Sequence, residues 1–228
     1  MGKLRAFVRL DFMTVKPYFT SKNMLIYIAL AVYMAIMSKN IGTPIGIGLM
    51  IATLNIGYPF ALGEKCNIDA LYTTLGADRK TVVRGRYIFS LLLNVCAIVF
   101  VTVFSLIALT FTSFFGDVDG ILMETLGTTM AIASLFLIVQ SMQITMFFKF
   151  GYAKAKFFSI LPFFIISAFV AFFVMNAQGR GMPAGLNAFV WGIINNGWAV
   201  LAIILAILAA VIFVSYQLSL AFYKKREF

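Results

Sequence analysis

The chain has 228 residues, of which 62% are hydrophobic and only 11% charged, with a net charge of +10 and no histidine. A soluble domain is nearer half apolar and a quarter charged, so this composition excludes an ordinary water-soluble protein, and its apolar content excludes a disordered one. The missing histidines remove imidazole ligands and imidazole acid–base chemistry. The two cysteines, Cys66 and Cys96, are too few for a zinc site, and they fall in a polar and an apolar stretch respectively, which argues against a disulfide. A basic excess can mark nucleic-acid binding. Here the basic residues sit between long charge-free runs, as they do at the flanks of membrane spans, and no nucleic-acid partner is expected.

Residues 1–16 are read as an amphipathic helix lying in the membrane interface. Arg5, Arg9 and Lys16 fall within about 40° of one another at 100° per residue, with Leu4, Val8, Phe12 and Val15 beside them, and Pro17 ends the helix. A plain basic tail is the other reading. The segment lacks the compact apolar core and small-residue cleavage site of a signal peptide. Asp11 sits among its apolar positions, where nothing in the sequence accounts for it.

Beyond it, runs of about 20 apolar residues suffice to cross a bilayer, and they show none of the alternation of barrel strands. A spanning chain must satisfy its own backbone, so these runs are predicted as helices. Six are expected, at about 23–38, 45–63, 87–115, 125–148, 157–176 and 198–222. The long last run is broken early by Pro183, Gly185, Asn187, Gly192 and Asn195–Gly197, so residues 177–197 are predicted as an extracellular or re-entrant segment before the sixth span. With both termini in the cytoplasm, sixteen of the eighteen Lys and Arg residues fall on the cytoplasmic side, and Lys39 and Arg180 are the two exceptions. The positive-inside rule thus supports both the span count and the orientation. The prediction is an all-α polytopic membrane protein forming a single transmembrane domain over 1–228.

The loop 64–86 carries the most information. Asn67 is a good N-cap, Asp69 lies in the first turn and Gly76 suits a helix C-terminus. Between them Ile68, Leu71, Tyr72 and Leu75 follow helical spacing and form one apolar face. A two-turn helix is unstable alone, so this face must rest on something: membrane, the protein's own helices, or a partner. Asp78 is placed to cap a further helix running through Arg79 and Lys80 into the third span.

Within the spans no carboxylate falls at mid-membrane depth, which argues against ion-coupled transport, a charged selectivity ring and intramembrane proteolysis. Uncharged polar residues do occur there: Asn55, Asn94, Gln140, Ser141 and Gln143. Either they bond between helices or, as candidates, Asn55, Asn94, Gln140 and Gln143 line a path. Gly42–Gly46 has GxxxG spacing and Ala202, Ala206 and Ala210 form a small-residue row, two signals of close helix approach. No phosphate-binding G-x-x-x-x-G-K-[ST] motif occurs and no stretch is long enough for a nucleotide domain, so any ATP would be hydrolysed by another chain.

Taken together these residues resemble the small permease subunits of the type-2 class of ABC exporters. The likeness covers the basic amphipathic start, the six spans and the broken piece before the sixth. It is most specific at Pro59–Lys65, Asn67–Gly76, Asp78-Arg79-Lys80 and Val83-Arg84-Gly85-Arg86-Tyr87, with Gly76-Ala77 where many relatives have Leu-Pro or Pro-Val. The resemblance implies that 67–75 is a coupling helix, with Glu64, Asn67, Ile68, Asp69, Leu71, Tyr72, Leu75, Arg79 and Lys80 docking a cytoplasmic ATPase dimer. Residues 1–16, with Arg5, Arg9 and Lys16, would be the elbow helix. It implies no cofactor or metal in this chain, ATP and magnesium being held by the ATPase. It also implies a second permease chain, identical or different, a bed of membrane lipid and a plasma-membrane location. Among such permeases the chain is similar to exporters of amphipathic peptides, phenol-soluble modulins and bacteriocins, from Gram-positive bacteria. Lipid or drug cargo would suit the same spans, and an energy-independent channel or scaffold is the alternative class.

Overall fold

The computed structural model describes residues 2–38, 42–66, 68, 72, 78–111, 118–158, 161–162, 164–165, 168 and 197–225. Every element among them is helical. We number the helices α1 (Gly2–Val15), α2 (Ser21–Ser38), α3 (Gly42–Asn55), α4 (Tyr58–Lys65), α5 (Arg79–Phe111), α6 (Val118–Phe150), α7 (Tyr152–Phe158) and α8 (Gly197–Lys224), with a 3-10 turn at Lys16–Tyr18. Five segments among the described residues are long and apolar enough to cross a membrane: Ser21–Ser38, Gly42–Lys65, Arg79–Ile107, Thr129–Phe150 and Ala202–Lys224. They overlap the first four and the sixth of the predicted spans. The predicted fifth span at 157–176 lies largely outside the described residues, as does the segment 177–197.

One span differs from the sequence reading, for a local reason. The second span is two helices, α3 and α4, joined by a turn at Ile56–Gly57. Pro59 sits at the start of α4 and has no N–H to offer Asn55, so the helix ladder is interrupted there. Gly57 fits the turn because a Cβ there would lie 3.0 Å from the Tyr152 ring. The third span is continuous with a helix that starts at Arg79, as expected from the Asp78 cap: its Oδ1 accepts from the Lys80 N–H at 3.2 Å and its carbonyl from Thr81 at 2.8 Å. At the far end, α6 stops at Gly151, whose φ of 76° is open to glycine at little cost.

The bundle is centred on α5, which packs against α1, α2, α3, α6 and α8, while α6 packs on α3 and α8. A Cβ on Gly48 would stand 2.5 Å from Val101 Cγ2, so α3 and α5 approach closely at Gly48. The GxxxG pair lies before it; a Cβ on Gly46 would meet Ile132 only at an ordinary 4.0 Å. The Ala202, Ala206 and Ala210 row is exposed on the surface of the single chain. One buried cluster joins Val15, Val83, Phe89, Phe148 and Tyr223 from α1, α5, α6 and α8, and a second joins Ala35, Ile45, Leu49 and Val101 from α2, α3 and α5.

Candidate functional site

The predicted basic segments meet at one end of the bundle. α1 lies across the first turns of α5, so close that a Cβ on Gly85 would touch Phe7 Cβ at 3.4 Å. Asp11, unexplained by its own segment, faces α5: its Oδ1 accepts from Arg86 Nη1 at 2.7 Å, with the two side chains 4% and 5% exposed. The rest of the Arg86 fork is used by α4. Nη2 donates to the Pro59 carbonyl at 3.3 Å, and the guanidinium stands 4.6 Å over the Phe60 ring. One side chain thus fastens α1, α4 and α5 together. Burial pushes the Asp11 carboxyl up to about 6, with the Arg86 charge pulling the other way. Desolvation outweighs attraction, so this pair fixes geometry more than it adds stability. On the other face of α1, Arg5 and Arg9 are exposed, as is Lys16 in the turn that follows.

α8 is held to the same end of α5. Arg79 donates through Nη1 to the carbonyls of Tyr223, at 3.3 Å, and Lys224. Those carbonyls are orphans of the helix end, and a cation there also suits the helix dipole. One turn further on, Arg84 Nε donates to the Tyr216 hydroxyl at 3.3 Å. Deeper still, Tyr87 Oη lies 2.6 Å from Ser215 Oγ and 3.0 Å from Ser219 Oγ, and Thr145 Oγ1 lies 2.7 and 3.0 Å from the same two hydroxyls. Four hydroxyls from α5, α6 and α8 close a ring, and Ser215 also donates to the Ser141 carbonyl at 2.6 Å. In surroundings without water such a ring satisfies each member and fixes how the three helices register.

The loop residues divide. Glu64 is exposed at the end of α4, and its Oε2 accepts from the Ala153 N–H at 3.0 Å, which ties the loop's start to the first turn of α7. Ile68 and Tyr72 are helical and turn inward. Ile68 packs on the core, and Tyr72, 6% exposed, meets the Phe7 ring edge-on at 4.8 Å. The protein's own α1 therefore covers this part of the predicted apolar face. Lys80 is exposed, and Arg79 is engaged with α8. Asn67, Asp69, Leu71 and Leu75 lie outside the described residues.

The polar residues at depth come together around Gln140, which is fully buried. Its Nε2 donates to Thr53 Oγ1 at 2.8 Å and Asn94 Oδ1 at 2.9 Å, while Oε1 accepts from Ser90 Oγ at 2.8 Å and Asn94 Nδ2 at 2.6 Å. All four positions of the amide are used, and they join α3, α5 and α6. Asn55, also buried, donates to the Ile51 carbonyl of its own helix at 2.8 Å, and Gln143 is buried on α6. Sequence reading marked Asn94 and Gln140 but missed Asp11–Arg86 and the hydroxyl ring. Ser215 and Ser219, four apart on an apolar helix, were the available signal for the ring.

Among the described residues no group of His, Cys, Asp or Glu is placed to hold a metal ion. One helix, α5, is bonded at successive turns to α1, α4, α8 and α6. The model of the family described as ABC-2 family transporter protein matches residues 7–224. No curated protein and no solved structure matches the chain.

Proposed function

The chain belongs to the ABC-2 transporter family, and on that premise we propose that it is the translocation subunit of an ATP-driven exporter of amphipathic peptides. Membership makes it a multi-pass plasma-membrane permease, a non-catalytic subunit of the kind that pairs with a cytoplasmic ABC ATPase. The finer reading is ours. The ATPase, which holds ATP and magnesium, docks on the loop 64–86, and two permease chains enclose the path. The N-terminal helix is the elbow and lies in the cytoplasmic interface.

What carries this reading is the continuity of the bonded end of α5. A push on the loop reaches α5 at Asp78–Arg79, α8 through Arg79 and Tyr87, α1 and α4 through Arg86, and α7 through Glu64. Because Tyr72 faces α1 and Ile68 packs on the core, docking falls to the other arc of the short helix, where the sequence pattern puts Asp69, Ala70 and Thr73. Spans free of mid-depth carboxylates match a cargo with large apolar surface. The test is uptake of a fluorescent amphipathic helical peptide into inside-out vesicles holding the chain and a candidate ABC ATPase. ATP-dependent uptake that is lost when that ATPase is inactivated is expected. Uptake indifferent to ATP would overturn the reading.

A further inference from the structure

We infer that the chain carries a site for one acyl chain of an anionic phospholipid, between α2 and the α3–α5 pair. A cavity of about 340 Å³ lies there. It is elongated along the helices. On α3 its wall runs from Pro44 to Asn55 and on α5 from Leu93 to Val101, about 16 and 12 Å at 1.5 Å per residue. One leaflet of a bilayer's hydrocarbon is about 15 Å deep. The slot therefore has the length of a single acyl chain in one leaflet. Its lining is aliphatic and aromatic, with Asn55, Tyr27 and Cys96 as the polar exceptions.

The neighbouring helix explains why the slot needs an occupant. α2 is the least buried of the five candidate spans, 11% against 56% for Gly42–Lys65. Its inward face is small, with Ala31 and Ala35 buried against α3 and α5, and an apolar gap beside it in hydrocarbon would leave wall atoms without contacts unless a hydrocarbon filled it. The rim explains which lipid. Phe12 and Phe19 border the slot at the end where the basic segments meet. Between and just beyond them, Lys16 and Lys22 are exposed. A tail seated in the slot brings its phosphate to these ammonium groups, and a net negative head group is favoured over a zwitterionic one. The inference is independent of peptide export and of any ATPase.

The experiment uses the full-length chain extracted in mild detergent, with native mass spectrometry reading bound lipid. One retained phosphatidylglycerol-type lipid per chain is expected. After delipidation, phosphatidylglycerol should rebind about tenfold more tightly than phosphatidylcholine. Ala97→Phe, which fills the slot, should remove the retained lipid. Lys16→Gln with Lys22→Gln should keep binding but erase the head-group preference. Leu30→Trp on α2 fills the same space and serves where Ala97→Phe does not fold. Retention unchanged in a folded slot-filling variant would overturn the inference. So would equal affinity for the two lipids in the native chain, or recovery of a peptide in place of lipid.

Discussion

Replacing Asp11 with leucine is the most informative single perturbation. It leaves the Arg86 guanidinium where it stands, 5% exposed, with one carbonyl at 3.3 Å and a ring face at 4.6 Å but no counter-charge. Breaking a buried pair by removing one partner costs about 3–5 kcal/mol, because a charge is left uncompensated. The double variant Asp11→Leu/Arg86→Met removes both charges and should return to within about 1 kcal/mol of the native chain. Asp11→Asn keeps an oxygen that accepts from Nη1 and removes the carboxylate charge that burial disfavours, so at pH 7 it should be no less stable than the native chain. The assay is equilibrium unfolding of the purified chain in mixed detergent micelles, run as a double-mutant cycle.

The pH dependence has a definite sign. The folded pKa of about 6 lies above the unfolded value of 3.8. In that window the folded state binds more protons, so the Asp11 contribution to stability rises as pH falls through 6. The native chain should therefore gain on Asp11→Asn between pH 7 and pH 4. A cost below about 1 kcal/mol for Asp11→Leu, or a double variant as unstable as the sum of its parts, would refute the reasoning.

Three further outcomes are expected. Gln140→Leu strands Asn94 and Thr53 in the core and should cost about 1–3 kcal/mol in the same unfolding assay. Gly48→Ala should cost about 1–3 kcal/mol, because its Cβ meets Val101 Cγ2 at 2.5 Å, and Val101→Ala should restore most of it. With Cys96 replaced by serine, an impermeant maleimide should label Cys66 only in inside-out vesicles, and Val118→Cys on a Cys66→Ser background only in right-side-out ones. Labelling of both from one side would overturn the topology.

Much of this architecture is legible from local pattern alone. Charge-free runs locate the spans because bilayer thickness sets their length, and the Asp78 cap is visible because capping is decided within three residues. What pattern cannot supply is pairing at a distance. Asp11 is anomalous on its own helix, and the residue that explains it lies 75 positions away. Gln140 is conspicuous as an amide at depth, whereas Thr53 and Ser90 are not, since hydroxyls in a helix can bond their own backbone, as Thr53 also does to Leu49 at 2.7 Å. The apolar face of 68–75 is readable, but whether α1 or a partner covers it depends on where α1 docks. Phe7 against Tyr72 decides that for part of the face.

The central claim is that the loop between α4 and α5 receives work done by another chain. Its most direct test is co-purification with a candidate ABC ATPase and the rate of ATP hydrolysis by that ATPase, with the native chain and with Asp69→Arg. The native chain should co-purify and change the hydrolysis rate, and the charge reversal should abolish both while leaving the permease folded. Co-purification and hydrolysis unaffected by Asp69→Arg and equally by Ala70→Arg would contradict the account.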